Sequence, residues 1–243
     1  MKYFEATNLS KSFKEKKVIE NVSITLNEGE CVSLLGVSGI GKTTIFNILA
    51  GFLKPDQGRV KLKDMDITGQ LGKLSYMQQE DLLLEHKTIL DNVALPLIIS
   101  GENKSLAKAR ARSYFGTFGL DGTYDKYPCQ LSGGMRQRAA LLRTYLFSND
   151  LILLDEPFSA LDTLTKSGMH RCFMDIMKEV RATTLFITHD IDEAIYLSDR
   201  IYILSGNPGR ISREVSLKGL VKDSTLFYSP EYMDMKREII GAL

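Results

Sequence analysis

Gly36-Val37-Ser38-Gly39-Ile40-Gly41-Lys42-Thr43 is the stretch on which the reading of this chain turns. Just before it, Cys31-Val32-Ser33-Leu34-Leu35 is mostly apolar and reads as a short strand. Just after it, Thr44 to Leu49 reads as a helix. Strand, glycine loop and helix in that order make a phosphate-binding loop. Gly36, Gly39 and Gly41 let backbone N–H groups approach phosphate oxygens with no Cβ in the way. Lys42 supplies a point charge for the β- and γ-phosphates. The Thr43 hydroxyl is placed to ligate Mg²⁺, and the following helix aims its positive end at the anion. A chance glycine-rich turn seldom carries all the fixed positions in this context, so the chain is expected to grip a nucleoside triphosphate.

Working outward, the chain has 243 residues, 44% hydrophobic and 25% charged, ample for a buried core with a subdomain. The formal net charge of +1 gives no global field to recruit nucleic acid or anionic lipid, so no nucleic-acid partner is expected. Cys31, Cys129 and Cys172 are widely spaced and form neither a metal-ligand pattern nor an even disulfide set, which suits a reducing cytoplasm. Met1 to Glu5 lacks an apolar signal core. The longest apolar stretch, Val93 to Ile99, is short and contains Pro96. Any membrane role is therefore expected to come through a partner.

The first third alternates. Val22, Ile24 and Leu26 are spaced by two, as are Val60 and Leu62, and both runs read as half-buried antiparallel strands. Gly29 and Pro55-Asp56-Gln57-Gly58 mark turns. From about residue 88 the pattern turns helical. Asp91 to Ile99 and Ser105 to Phe118 are expected as helices ending near Gly101 and Gly119, and a third runs from Ser132 through Leu146. Leu151 to Leu154 and Leu185 to Thr188 are continuous apolar runs, the mark of buried parallel strands. Between them Met169, Phe173, Ile176, Met177 and Val180 make a helical stripe, and Ile201 to Leu204 reads as one more strand. A βα nucleotide core is thus interrupted by a helical insert at about 88–148. The sequence pattern assigns no structure to the tail at 206–243.

Leu151-Ile152-Leu153-Leu154-Asp155-Glu156-Pro157 is an apolar strand ending in two carboxylates. Ligands sit at strand ends in α/β sheets. Asp155 can hold Mg²⁺, and Glu156 can polarise a water that attacks the γ-phosphate. Alone, this is equally well a solvated acidic turn; beside a phosphate loop it is a site. Leu131-Ser132-Gly133-Gly134-Met135-Arg136-Gln137-Arg138 is more discriminating. Ser132 is a good N-cap and two glycines open the helix, which makes a second helix end fit for an anion.

These motifs together resemble the ATPase subunit of an ABC transporter, and the likeness covers nearly the whole chain. It implies one ABC ATPase domain at 1–243: an α/β P-loop NTPase (RecA-like) core at about 1–87 and 149–205, with an N-terminal antiparallel β-subdomain, a helical signature subdomain at about 88–148 and the tail. The phosphate loop would be Walker A, with Ser38 and Thr44 also contacting the nucleotide, and Leu151 to Glu156 would be Walker B. Leu131 to Gln137 would be the signature, whose Ser132, Gly133 and Gly134 contact the γ-phosphate held by another subunit. Ser159-Ala160-Leu161-Asp162 matches the D-loop, with Asp162 between the two sites of a dimer. His189, in Ile187-Thr188-His189-Asp190, matches the switch histidine. Gln79 matches the Q-loop glutamine that senses Mg²⁺ and couples to the membrane subunit; setting the family's Asp-Asn-Val at Asp91-Asn92-Val93 selects Gln79 over Gln78. Phe13 takes the place of the aromatic that stacks on adenine, although a strand-edge aromatic reads equally well as packing.

Met135 after Ser-Gly-Gly, with Pro208-Gly209-Arg210-Ile211, is similar to importers of the nitrate, sulfonate, taurine and pyrimidine-precursor group. Glu85-His86 departs from the Pro-Trp pair common there. Val93-Ala94-Leu95-Pro96-Leu97 is similar to lipoprotein-release ATPases. The resemblance implies an ATP- and Mg²⁺-dependent homodimer, peripheral on the cytoplasmic face of a membrane permease and served indirectly by a solute-binding protein. Release- or export-type complexes are the alternative. A chromosome or DNA-repair ATPase is disfavoured by the lack of sustained heptads.

Overall fold

The computed structural model describes residues 3–148, 150–159, 163–222 and 226–243, without the side chains of 163–165. It divides into two compact units, one of residues 1–74 and 183–243 and one of residues 75–182. The first unit opens with β1 (Phe4–Phe13), β2 (Lys16–Leu26), β3 (Cys31–Leu35), α1 (Lys42–Leu49), β4 (Gln57–Leu62) and β5 (Met65–Asp66). The second unit holds β6 (Ser75–Met77), α2 (Ile89–Ile99), α3 (Lys104–Ser113), α4 (Gly133–Phe147), β7 (Ile152–Asp155) and α5 (Thr163–Val180). The chain returns to the first unit with β8 (Thr184–Thr188), α6 (Ile191–Leu197), β9 (Arg200–Ser205), β10 (Arg210–Ser216) and α7 (Pro230–Ile240).

In the first unit, β2, β1, β4 and β5 form an antiparallel sheet in that order. The expected alternation sets its register. Leu26, Phe4 and Leu62 lie in one cross-strand row, and Ile24, Ala6 and Val60 in the next, all buried. A second layer places β3 between β8 and β9, all parallel, with β10 antiparallel on the outer side of β9. The side chains of Val32, Leu34, Leu185, Phe186, Ile187, Ile201 and Ile203 are fully buried, as continuous apolar strands covered on both faces must be.

The tail adds β10 and α7 to this unit. Val215, Leu217, Leu226, Tyr232 and Ile239 join Leu35, Ala194, Ile195, Ile201 and Ile203 in one buried cluster. The sequence hides this because β10 is an edge strand with a single buried residue, Val215, and shows no alternation.

In the second unit β6 runs parallel to β7, and α2 packs against both α3 and α4. Thr88 caps α2 by accepting from the Asp91 N–H. The buried Asn92 accepts from Leu84 N at 2.7 Å and donates to the carbonyls of Leu84, Lys87 and Thr88, which fastens the preceding loop to this helix. α3 ends at Ser113 rather than at Phe118. Phe115 N bonds Arg112 O and Gly119 N bonds Gly116 O, so the chain tightens into turns there, and Gly119 takes φ +61°. Phe115 and Phe118, three residues apart, are both buried there. α1 begins at Lys42, two residues ahead of the expected start, within the usual fraying of helix ends. Among the described residues no helix is long and apolar enough to cross a membrane.

Candidate nucleotide and catalytic site

In the first unit the phosphate loop leaves the buried end of β3 and enters α1. Gly41 sits at the N-cap with φ +112°, and a Cβ there would lie 2.7 Å from Ile19 Cγ2. Both the backbone twist and the close approach of β2 demand glycine. A Cβ on Gly36 would come 2.8 Å from Leu204 O, whereas Gly39, at φ +79°, faces open space. Val37, Ser38, Gly39 and Thr43 are exposed, and Thr44 is partly so. Lys42 is buried to 5% exposure and its ammonium donates to Gly36 O at 2.6 Å and Val37 O at 3.0 Å. The charge is thereby arched over the loop, beside the first turn of α1, where unpaired N–H groups gather.

An open cleft of about 300 Å³ borders the loop, lined by Lys16, Val18, Ser38, Gly39 and Asn207 among others. Phe13, at the end of β1, pairs with Lys16 and is 48% exposed, so its ring is not consumed by the core. Lys11 Nζ stands 5.9 Å from that ring's centre. β3 and β8 run level, Leu35 pairing with Thr188, so Gly36 and His189 each follow directly from paired strand ends. His189 is exposed there. The register thus brings the expected switch histidine alongside the phosphate loop, at the carboxyl ends of parallel strands where ligands bind.

In the second unit, Asp155 ends β7 with 8% exposure and accepts from the Tyr76 hydroxyl at 3.1 Å. Burial, with the Asp155 charge beside it, pushes the Tyr76 phenol well above its ordinary pKa and keeps it a donor. Glu156 takes φ +47°, a left-handed conformation that costs a non-glycine residue about 1–3 kcal/mol. Ser159 holds that turn, its N–H and hydroxyl donating to Glu156 O at 3.2 and 3.0 Å. Gln79 Nε2 donates in turn to Ser159 Oγ at 3.1 Å. The register explains the reach: Met77 pairs with Leu154, and Gln79 and Glu156 both lie two residues past those paired ends.

Ser132 caps α4, accepting from Met135 N at 3.3 Å, with Gly133 and Gly134 as the first helical residues. Ser132 and Gly133 are exposed, leaving this helix end open to an anion. Gln137 donates to Pro157 O and ties the same helix to the turn after Glu156. Asp162, expected in the D-loop, lies outside the described residues. The sequence reading overlooked Tyr76, the supporting role of Ser159, and Arg143. Arg143 donates to Asp81 O at 2.5 Å and Leu82 O at 2.7 Å, and Arg136 Nε lies 3.2 Å from the Asp81 carboxylate. Their seven-residue spacing, which puts both on one face of α4, was the available signal.

A sequence model described as ABC transporter matches residues 19–159. The chain belongs to the ABC transporter family. The formylaminopyrimidine import ATP-binding protein ThiZ of Halalkalibacterium halodurans is 49% identical over 191 residues, 79% of this chain and 74% of that protein. The taurine import ATP-binding protein TauB of Pseudomonas aeruginosa strain PAO1 is 39% identical over 219 residues, 88% of this chain and 83% of that one. An ATP-binding cassette solved as a dimer in a post-hydrolysis state with ADP and Pi superposes with a TM-score of 0.75 at 30% identity, covering 89% of this chain and 99% of its own. This ABC protein is a nucleotide-binding ATPase, and its fold is the α/β P-loop NTPase core with an antiparallel β-subdomain and a helical subdomain.

Proposed function

We propose that this ATPase powers an ABC importer as a homodimer, each chain forming one ABC ATPase domain over residues 1–243. The observation that carries the reading is the exposed, glycine-opened start of α4, an anion-ready helix end in addition to that of α1. The dimeric cassette and the import named for ThiZ and TauB support it. Two copies sandwich two ATP molecules head to tail, with Ser132, Gly133 and Gly134 of each meeting the γ-phosphate bound by the other. Closure needs ATP at both faces; hydrolysis reopens them and moves an integral-membrane permease. The subunit sits peripherally on the permease at the cytoplasmic face, and a solute-binding protein acts on it only through the permease. Leu82, Glu85 and His86 are exposed after Gln79 and form part of the permease-facing surface.

Gly36, Ser38, Gly39, Gly41, Lys42 and Thr44 cradle the phosphates and Phe13 stacks on adenine. Glu156 orients the attacking water in line and accepts its proton, and His189 contacts the γ-phosphate. Asp162 bridges the two sites. The exposed Thr43 hydroxyl and the strand-end carboxylate of Asp155 are hard oxygen donors of the kind Mg²⁺ takes, few in number because phosphate and water complete its shell. Thr43, Asp155 and Gln79 would hold Mg²⁺, which when bound neutralises charge on the β- and γ-phosphates.

The test is Glu156→Gln. It should bind ATP, lose turnover by roughly 10²–10⁴-fold and accumulate as an ATP-bound dimer in sedimentation. Near-normal hydrolysis, or a monomer at saturating ATP, would overturn the reading.

A further inference from the structure

The seven-residue helix α6 starts two residues after His189. A helix of that length has no stability of its own in water, so tertiary contacts must hold it. Part of the brace is local. Thr188 Oγ1 donates to the buried Glu193 carboxylate at 2.5 Å, Asp190 N–H donates to Thr188 Oγ1 at 3.0 Å, and Asp190 caps α6 through Asp192 N and Glu193 N. These bonds flank His189 on both sides. A further part comes from the C-terminal segment. Ala194 and Ile195 of α6 share a buried cluster with Tyr232 and Ile239 of α7 and with Leu35, the residue just before the phosphate loop. Phe227 stacks on Tyr196 at 5.5 Å and meets Tyr232 edge-on at 5.3 Å. The polar link is Asp192 in the first turn of α6. Its Oδ1 accepts from Lys236 Nζ at 2.5 Å and from the Tyr232 hydroxyl, and Lys236 also reaches that hydroxyl at 3.2 Å. The hydrogen bond to Asp192 holds the Lys236 ammonium above its ordinary range.

We propose that Tyr232 and Lys236 of α7 are positioning residues for the ATPase reaction, acting through Asp192 and α6 to fix the segment that carries His189. This rests on the reading of His189 as a γ-phosphate contact. The Asp192 and Lys236 side chains are 46% and 34% exposed, so their ion pair adds little to global stability and variants lacking it should fold. Its effect falls on the placement of one strand-end residue, where an error of about 1 Å costs up to roughly 10²-fold in rate.

The test compares His189→Ala, Asp192→Asn, Lys236→Met, Lys236→Arg and Tyr232→Phe in the full chain, measuring kcat, affinity for ATP and melting temperature. His189→Ala should stop turnover. Asp192→Asn and Lys236→Met should each lower kcat about tenfold with ATP affinity held within about twofold. The double variant should be no worse than either single change, and Lys236→Arg should recover most of the rate. Tyr232→Phe, which keeps the ring in its cluster, should fall between wild type and Lys236→Met. If His189→Ala stops turnover while Asp192→Asn and Lys236→Met hydrolyse within about twofold of wild type, the positioning role is overturned and the reading of His189 stands. If His189→Ala turns over normally, that reading fails, and this inference with it.

Discussion

Arg143→Met probes how the loop after Gln79 is held. The guanidinium forks onto two successive carbonyls, Asp81 O at 2.5 Å and Leu82 O at 2.7 Å. Burial lowers its pKa while the Asp81 charge opposes the shift, and an arginine so placed remains protonated at neutral pH. Methionine keeps the stem's packing and removes the fork. The Asp81 carbonyl is then left in a partly buried place with no donor, at about 1–3 kcal/mol, while water replaces the donor at the more exposed Leu82 carbonyl for about 0.5 kcal/mol. A loss of about 1.5–3.5 kcal/mol in the local opening free energy follows, and at tenfold per 1.4 kcal/mol it corresponds to roughly 10- to 300-fold. The assay is native-state hydrogen exchange. The N–H of Leu83, which bonds Asp81 Oδ1 at 3.0 Å, and that of Leu84, which bonds Asn92 Oδ1 at 2.7 Å, should exchange faster by that factor. The amides of β7 should not change. Arg143→Lys should recover only a minor part, because a point charge cannot reproduce a planar fork on two carbonyls. An acceleration under about threefold at Leu83 and Leu84 would show that the loop is held by Arg136 and Asn92 without Arg143.

Gly41→Ala should cost about 2–6 kcal/mol, from a left-handed backbone and from a Cβ 2.7 Å from Ile19 Cγ2, and should abolish ATP binding. Gly29→Ala, at φ +71° with nothing within 4 Å, should cost only the backbone part and leave ATP binding intact; equal costs at the two sites in chemical denaturation would refute the steric argument. Lys108 at 2.7 Å, with help from Thr88, holds the Asp91 carboxyl below the usual carboxylate range. That stabilisation is complete above the ordinary carboxylate pKa of about 3.9 and is lost as pH falls through the depressed folded value. Asp91→Asn should therefore destabilise the protein at pH 7 and flatten its loss of stability below about pH 4; superimposable acid-unfolding curves would contradict the sign.

Much was legible in the sequence because its signals are local. The glycines of the phosphate loop, the Ser132 cap and the carboxylates ending an apolar strand each depend on neighbours within a few residues, and the structure has them at the expected ends of elements. The three leucines after Gln79 separate into exposed Leu82, buried Leu83 and half-buried Leu84. Where the reading slipped, the apolar pattern outlasts the helix: Phe115 and Phe118 prolong the stripe and are buried, but the chain leaves the helix after Ser113 and turns at Gly119, whose φ is +61°.

The sequence by itself determined the main elements of the core and insert, the motifs and the reaction class, since periodicity, caps and glycine φ preferences act over one or two turns of chain. Tertiary structure alone decided which distant residues share a task. Strand register set Gly36 beside His189 and aligned Gln79 with Glu156. Packing brought Tyr232 and Lys236 to Asp192 across 40 and 44 residues, and Arg143 to Asp81 across 62. Such contacts are paid for by closing long loops around a hydrophobic core, and that cost grows only slowly with loop length. No short-range pattern in the chain records which loops close, and so the supports of the site appear only once the chain is folded.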